Sequence, residues 1–143
     1  MWSDTLLSAE RTHLLRLALW GGSSALIGTV LIAAITMRRI NARIVWHFAV
    51  QLLIWGGATL VFAAVTTGGL AMRDVSAATR LDRVTWFNAG LAVGIIAVGA
   101  VLSTIGWTTR KLGLVGAGLG IIVHGLALTV LHVTFLAVLA RLV

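Results

Sequence analysis

Four long apolar stretches without a charged side chain constrain this sequence more than any other feature. They cover residues 17–37, 44–70, 87–107 and 112–139. A bilayer core about 30 Å thick takes about 20 helical residues to cross, and each stretch is long enough to do so. Only 10% of the 143 residues are charged and the mean hydropathy is +1.05, which is far from a water-soluble composition. We therefore predict a single-domain, all-α integral membrane bundle of four helices.

Short polar breaks between these stretches predict the topology. RRINAR (residues 38–43) and TTRK (108–111) leave room only for tight turns, so the helices that they join form two antiparallel hairpins. The longer break permits an interfacial helical segment at about 76–85, with Ser76 as its N-cap, which can run directly into the third helix. Both termini then lie on the same side of the membrane. Because acidic residues precede the first stretch and its apolar part is full length, we interpret it as a retained helix and not as a signal peptide.

Basic residues predict the orientation of the bundle, although the 11 of them divide almost evenly between its two sides. Those at the tight turns adjoin the helix ends, and the first loop weighs most in the positive-inside rule, so we place residues 38–43 and 108–111 in the cytoplasm and the termini outside. A single lysine among the basic residues is typical of GC-rich bacterial genomes, and we predict the bacterial inner membrane. The cations expected to contact lipid head groups or a partner, and not nucleic acid, are Arg38, Arg39, Arg43, Arg110 and Lys111.

The 16 glycines all lie within the apolar stretches or at their edges, and the chain has no proline. In lipid, helices associate through close packing of small residues, commonly spaced four apart. The residues predicted to pack in this way are Gly90, Gly94, Gly99, Gly113, Gly116 and Gly120. The third helix carries two small faces, one with Gly90 and Gly94 and the other with Gly99, so we expect it to be the central helix. WGG occurs at Trp20 and at Trp55, which we interpret as a bulky ring beside a small-residue notch or as chance.

The segment GAGLGIIVHG (residues 116–125) is open to interpretation as a phosphate loop, a cofactor site or a packing seam. A dinucleotide fingerprint requires GxGxxG after a strand, whereas here the third glycine comes one position early in an apolar stretch. At about 100° per residue, His124 shares a face with Gly116 and Gly120, so we place it in a tightly packed seam. There it can form a hydrogen bond to a neighbouring helix or ligate a cofactor.

Polar side chains inside the stretches are candidate functional residues, because burying them in lipid is costly. They are His47, Gln51, Asn88, His124 and His132. No carboxylate lies inside the stretches, which disfavours proton relays and acid–base chemistry, so we expect no enzyme and no catalytic residue. The chain has no cysteine, which excludes disulfides, thiolate metal sites and iron–sulfur clusters, and we predict no metal-ion site.

Haem or a chlorophyll-type pigment is the cofactor alternative, with His124, His132 and His47 as candidate axial ligands. At 1.5 Å per residue, His47 and His124 differ in depth by roughly 12 Å or more, which is too far for two ligands of one iron. His124 and His132 lie on the same helix. A chlorophyll-type magnesium or a singly ligated haem b needs only one imidazole, and His124 is the candidate for it.

The segments FNAGLAVGIIAVGAVL (residues 87–102) and GAGLGIIVHG resemble the second half of a family of small, uncharacterised four-span bacterial membrane proteins. That family opens its third helix with an Asn-x-Gly-Leu-Asp-Val-Gly pattern. The positions that match are Asn88, Gly90, Leu91, Val93 and Gly94, and Ala92 stands in the place of the Asp. The resemblance covers the third and fourth helices only. It implies a four-helix architecture and no particular activity.

The sequence is rich in small-residue helix faces and has no convincing set of catalytic residues. We therefore predict a small, non-catalytic accessory or structural subunit of a larger membrane protein complex. We expect it to contact the lipid bilayer and other transmembrane subunits or further copies of itself. The alternative is a cofactor-binding protein with His124 as axial ligand. A small transporter is the third hypothesis, which the absence of intramembrane carboxylates and of helix-breaking prolines disfavours.

Overall fold

A computed structural model describes residues 2–142, which form four helices and no strand. Helix α1 spans Trp2–Met37, α2 spans Arg43–Gly68, α3 spans Val75–Thr108 and α4 spans Leu112–Leu139. All four are long and apolar enough to cross a membrane. The prediction of an all-helical fold with four helices is confirmed.

Two helices extend well beyond the predicted apolar spans at the end of the bundle where the termini lie. At 1.5 Å per residue, the 36 residues of α1 and the 34 residues of α3 are about 54 and 51 Å long. The segment at 76–85 and the third apolar stretch are one continuous helix. Its N-cap is Asp74 and not the predicted Ser76, because the Asp74 carboxylate accepts a hydrogen bond from the amide of Ala77 at 2.7 Å. That bond, together with the hydroxyl of Ser76, lowers the pKa of Asp74.

The two tight turns have the same backbone conformation, although their sequences differ. Arg39 and Arg110 have φ values of 49° and 56°, in the left-handed region that glycine usually occupies after a helix. In each turn the next amide donates to the carbonyl five residues before it, at 3.1 Å after α1 and 2.8 Å after α3. The left-handed conformation costs a residue with a side chain about 1 kcal/mol of conformational free energy. In both turns this conformation reverses the chain within a few residues. Both turns lie at the same end of the bundle, where Arg43 and Lys111 line one shared depression.

Helix α4 is the centre of the bundle and packs against the three other helices. Within the described residues, no Cα atom of α3 comes within 8 Å of α1 or α2, so the expectation that α3 is central is wrong. The reason is that α4 has bare backbone on opposite faces. Gly116 and Gly120 lie against α2, while Gly118 and Gly125 lie against α3.

Glycine also brings α1 and α2 together. A Cβ atom added to Gly56 would lie 2.7 Å from both the carbonyl oxygen of Gly21 and the amide nitrogen of Ala25. Gly28 faces Ala49 and Leu53 of α2 in the same manner, so the two helices run antiparallel with their backbones nearly in contact. Such an approach maximises dispersion contacts where the hydrophobic effect is absent.

The structure divides the glycines predicted to pack into two groups. Gly99 lies against the backbone of Gly118, and Gly113 makes room for the imidazole ring of His47. Gly116 and Gly120 lie against α2, as described above. A Cβ atom on Gly90 or Gly94 would meet no atom within 4 Å among residues 2–142, so these two glycines form a second face of α3 that no other helix of the chain covers.

Alanine substitutions at the adjacent Gly56 and Gly57 are expected to change stability in opposite directions. A Cβ at Gly57 meets no atom of another helix within 4 Å among the described residues, so Gly57→Ala should stabilise the helix by up to about 1 kcal/mol. A Cβ at Gly56 presses on the backbone of α1, so Gly56→Ala should destabilise the protein by about 1–3 kcal/mol. Unfolding in detergent, followed by circular dichroism, measures both. Equal effects of the two substitutions would show that α1 and α2 do not approach each other at Gly56.

Candidate functional site

His124, in the middle of α4, is fully buried and has a hydrogen-bond partner for each ring nitrogen. Its Nδ1 accepts a hydrogen bond from the indole N–H of Trp20 at 3.3 Å, and its Nε2 lies 3.1 Å from the hydroxyl of Thr59. An indole nitrogen only donates, so Nδ1 carries no hydrogen and Nε2 is the N–H that donates to Thr59. Three helices are therefore joined at one imidazole ring.

Two tryptophans lie against this imidazole ring. The ring of Trp55 stacks on His124 with centroids 5.8 Å apart, and the ring of Trp20 is tilted at 6.2 Å. Trp55 also donates from its indole N–H to the side chain of Gln51 at 2.9 Å. The repeated WGG sequences thus meet in space: Gly21 and Gly56, which follow the tryptophans, form the α1–α2 contact, and both tryptophan rings lie against His124 of α4. This agrees with the interpretation of a bulky ring beside a notch.

The three histidines proposed as axial ligands are not brought together. His47 is exposed at the end of the bundle that holds the tight turns, beside Gly113, while His124 is deep in the bundle and His132 lies two turns further along α4. Both nitrogens of His124 are bonded within the protein, so ligation of a metal would have to displace Trp20 or Thr59. Within residues 2–142 no three His, Cys, Asp or Glu side chains are placed to hold a metal ion together.

A second cluster, which the sequence did not reveal, lies near the end of the bundle that holds the termini. Glu10 of α1 is buried, and the Arg73 guanidinium donates to both of its carboxylate oxygens, at 2.8 and 2.5 Å. This hydrogen bonding raises the pKa of Arg73. The ion pair fixes the α2–α3 loop to α1. One signal for this cluster was present in the sequence. Glu10, the one glutamate of the chain, is three or four residues from Leu6 and His13 and therefore lies on the same buried face of α1 as they do.

His13 and His132 lie next to this ion pair. The ring of His13 stacks on Phe135 with centroids 4.3 Å apart and is 5.2 Å from the ring of His132. His132 is 6% exposed, and its Nδ1 has no hydrogen-bond partner among the described residues. It is thus a buried polar group of the kind that usually has a partner.

An open groove separates α3 from α1 and α2, with α4 as its floor. It contains two cavities of about 290 and 200 Å³. Both cavities are lined by Leu17, Phe62, Asn88 and His132. The side-chain amide of Asn88 has no hydrogen bond to another described residue, and Ala92, one turn further along α3, lines the smaller cavity together with His124. The groove exists because, among the described residues, the backbone of α3 approaches that of α4 alone.

Comparison with known proteins gives a family but no activity. A sequence model of a family of unknown function, DUF6992, matches residues 16–133, which include parts of all four helices. The chain belongs to this family. No curated protein and no solved structure matches it. The match extends beyond the third and fourth helices, on which the resemblance to small four-span bacterial proteins was based, and gives no evidence for that particular family.

Removing the hydroxyl of Thr59 is expected to destabilise the protein, because Thr59→Val leaves the Nε2–H of His124 buried without an acceptor. We expect a loss of about 1–2 kcal/mol in the free energy of unfolding. Thr129→Val is the matched control, since the Thr129 hydroxyl is part-buried but bonds only to the Gly125 carbonyl of its own helix, and it should change stability by less than about 0.5 kcal/mol. The same detergent unfolding assay measures both, and equal losses would contradict the role of His124 as a link between helices.

Proposed function

We propose that this chain is an integral membrane protein that serves as a small, non-catalytic accessory or structural subunit of a larger membrane complex. The outer surface of every helix supports membrane insertion. Leu26, Val65, Phe87 and Val130 are each between 60% and 73% exposed, on α1, α2, α3 and α4 respectively. A surface with so many exposed apolar side chains is costly in water and suited to lipid acyl chains.

The proposed orientation places the tight turns of residues 38–43 and 108–111 in the cytoplasm of a bacterium and the termini outside its inner membrane. The exposed Arg38, Arg39 and Arg110 support it, because they lie directly at helix ends in short loops. On the other side, Arg73 is already paired with Glu10, which leaves fewer free cations there.

The outer face of α3, defined by Gly90 and Gly94, is the observation on which the subunit proposal rests. These glycines are half a helical turn around from Gly99, which packs on α4. Trp86 and Val101, at 62% and 57% exposure, border the same face. Bare backbone directed toward lipid forgoes dispersion contacts that a second helix would supply, and glycines four apart are typical of transmembrane helix interfaces. We therefore propose that a transmembrane helix of a partner subunit packs on this face.

The alternatives have less support from the geometry. A haem or chlorophyll-type pigment on His124 requires the loss of one of its two hydrogen bonds, and a transporter requires polar groups along a pathway across the bundle. The hydrogen bonds of His124 join α4 to both α1 and α2. Such an interhelical link supports a structural role.

Blocking the outer face of α3 is expected to release the partner. An affinity-tagged chain purified from its native membranes in a mild detergent should migrate on a native gel as a complex with at least one different membrane protein. Gly94→Ile should reduce the recovered complex at least tenfold, because a bulky side chain keeps the partner helix away from the backbone. Helix content and thermal stability should be unchanged, since a Cβ added at Gly94 meets no atom of another helix within 4 Å among residues 2–142.

Gly57→Ile is the matched control, because Gly57 is equally open to its surroundings but lies on α2. It should leave the complex intact. A solitary wild-type monomer, or a Gly94→Ile chain that retains its complex, would contradict the proposal. A complex that contains only further copies of this chain would replace the accessory role with self-association.

A further inference from the structure

We propose that the groove between α3 and the α1–α2 hairpin binds a lipid-soluble molecule with a carbonyl- or hydroxyl-bearing ring, of the isoprenoid quinone class. This site is separate from the outer face of α3 and does not depend on the subunit proposal.

Two polar side chains without a hydrogen-bond partner among the described residues line both cavities of the groove. His132, on α4, is more than nine-tenths buried and lines both cavities with an Nδ1 that has no partner among the described residues. Asn88, on α3, lines the same two cavities, and its side-chain amide has no hydrogen bond to another described residue. In a bilayer, water is scarce and an unsatisfied polar group is costly, so a bound molecule with matching groups stabilises both side chains.

The chemistry of these two side chains favours a head group that both accepts and donates hydrogen bonds. A neutral imidazole presents one N–H donor and one acceptor, and a carboxamide presents both kinds of group as well. A quinone carbonyl accepts from them, and the corresponding quinol hydroxyl donates to them. The site therefore suits both the quinone and the quinol. We propose that it binds either form, with no electron-transfer step.

The remainder of the groove suits an apolar tail. The walls of the smaller cavity include Phe62, Leu91, Ile95 and Leu128, together with the ring of Trp55. No Cα atom of α3 lies within 8 Å of α1 or α2 among the described residues, so the groove opens sideways between helices. A molecule dissolved in the membrane can thus enter without crossing a polar surface.

The charges around the groove favour an uncharged head group over an anionic phospholipid. Of the cations that line the larger cavity, Arg73 is neutralised by Glu10, and Arg80 is exposed at the outer end. The smaller cavity, which Asn88 and His132 also line, has no arginine or lysine in its walls. A phosphate would bind Arg80 at the mouth and leave the deeper groups unpaired.

Tryptophan fluorescence provides the test, because Trp55 forms part of the groove wall. Decylubiquinone is titrated into the full-length protein in nanodiscs of zwitterionic phospholipid. We expect saturable quenching above the linear quenching that arises from partition into the bilayer. His132→Phe and Asn88→Leu should each weaken the saturable phase at least tenfold, while His47→Phe, the same change at the opposite end of the bundle, should leave it unchanged.

Helix content and elution volume of each variant show whether it is folded, and Asn88, which is only part-buried, keeps the test valid if His132→Phe fails to fold. Purely linear quenching in the wild type, or saturation that both variants retain, would overturn the proposal. Nanodiscs that contain phosphatidylglycerol distinguish a phospholipid site. Loss of quinone binding as this lipid is added, with reversal by Arg80→Gln, would also overturn it.

Discussion

Direct contact between helix backbones at glycine is the constraint on which this structure depends. In lipid, apolar side chains gain nothing from leaving the solvent, so contact area and hydrogen bonds decide which helices associate. Helix α4 supplies bare backbone on opposite faces, with Gly116 toward α2 and Gly118 toward α3. The α1–α2 hairpin closes on itself through Gly21 and Gly56. These contacts place α4 at the centre.

The candidate sites follow from that arrangement. Because the three helices α1, α2 and α4 meet, their crossing has room for one polar ring, and His124 fills it with partners on both neighbours. Because the backbone of α3 approaches only that of α4 among the described residues, one side of α3 borders the open groove, and another side leaves Gly90 and Gly94 uncovered by any other helix of residues 2–142. The same glycine distribution thus explains a closed structural link, an open groove and an unpartnered face.

Hydropathy and loop length predicted the four helices and their tight turns, because both depend on local sequence. The order of packing was not predictable in the same way. Small residues at Gly90 and at Gly99 look alike in sequence, yet of the two only Gly99 meets another helix within residues 2–142, since Gly118 of α4 lies opposite it. The partners of Glu10 and His124 were also missed, because Arg73 and Trp20 lie 63 and 104 residues away along the chain. Such pairings depend on which helix faces meet.

Solid-state NMR of the protein in liposomes, with ¹³C-labelled glycine and isoleucine diluted into unlabelled chain, tests most directly whether α4 is packed through glycine on both faces. The structure predicts cross-peaks within one chain between Gly116 and Ile44 of α2, and between Gly125 and Ile96 of α3. It predicts none from Gly90 or Gly94 to an isoleucine of another helix in the same chain. Absence of either predicted cross-peak from the folded protein would contradict the account.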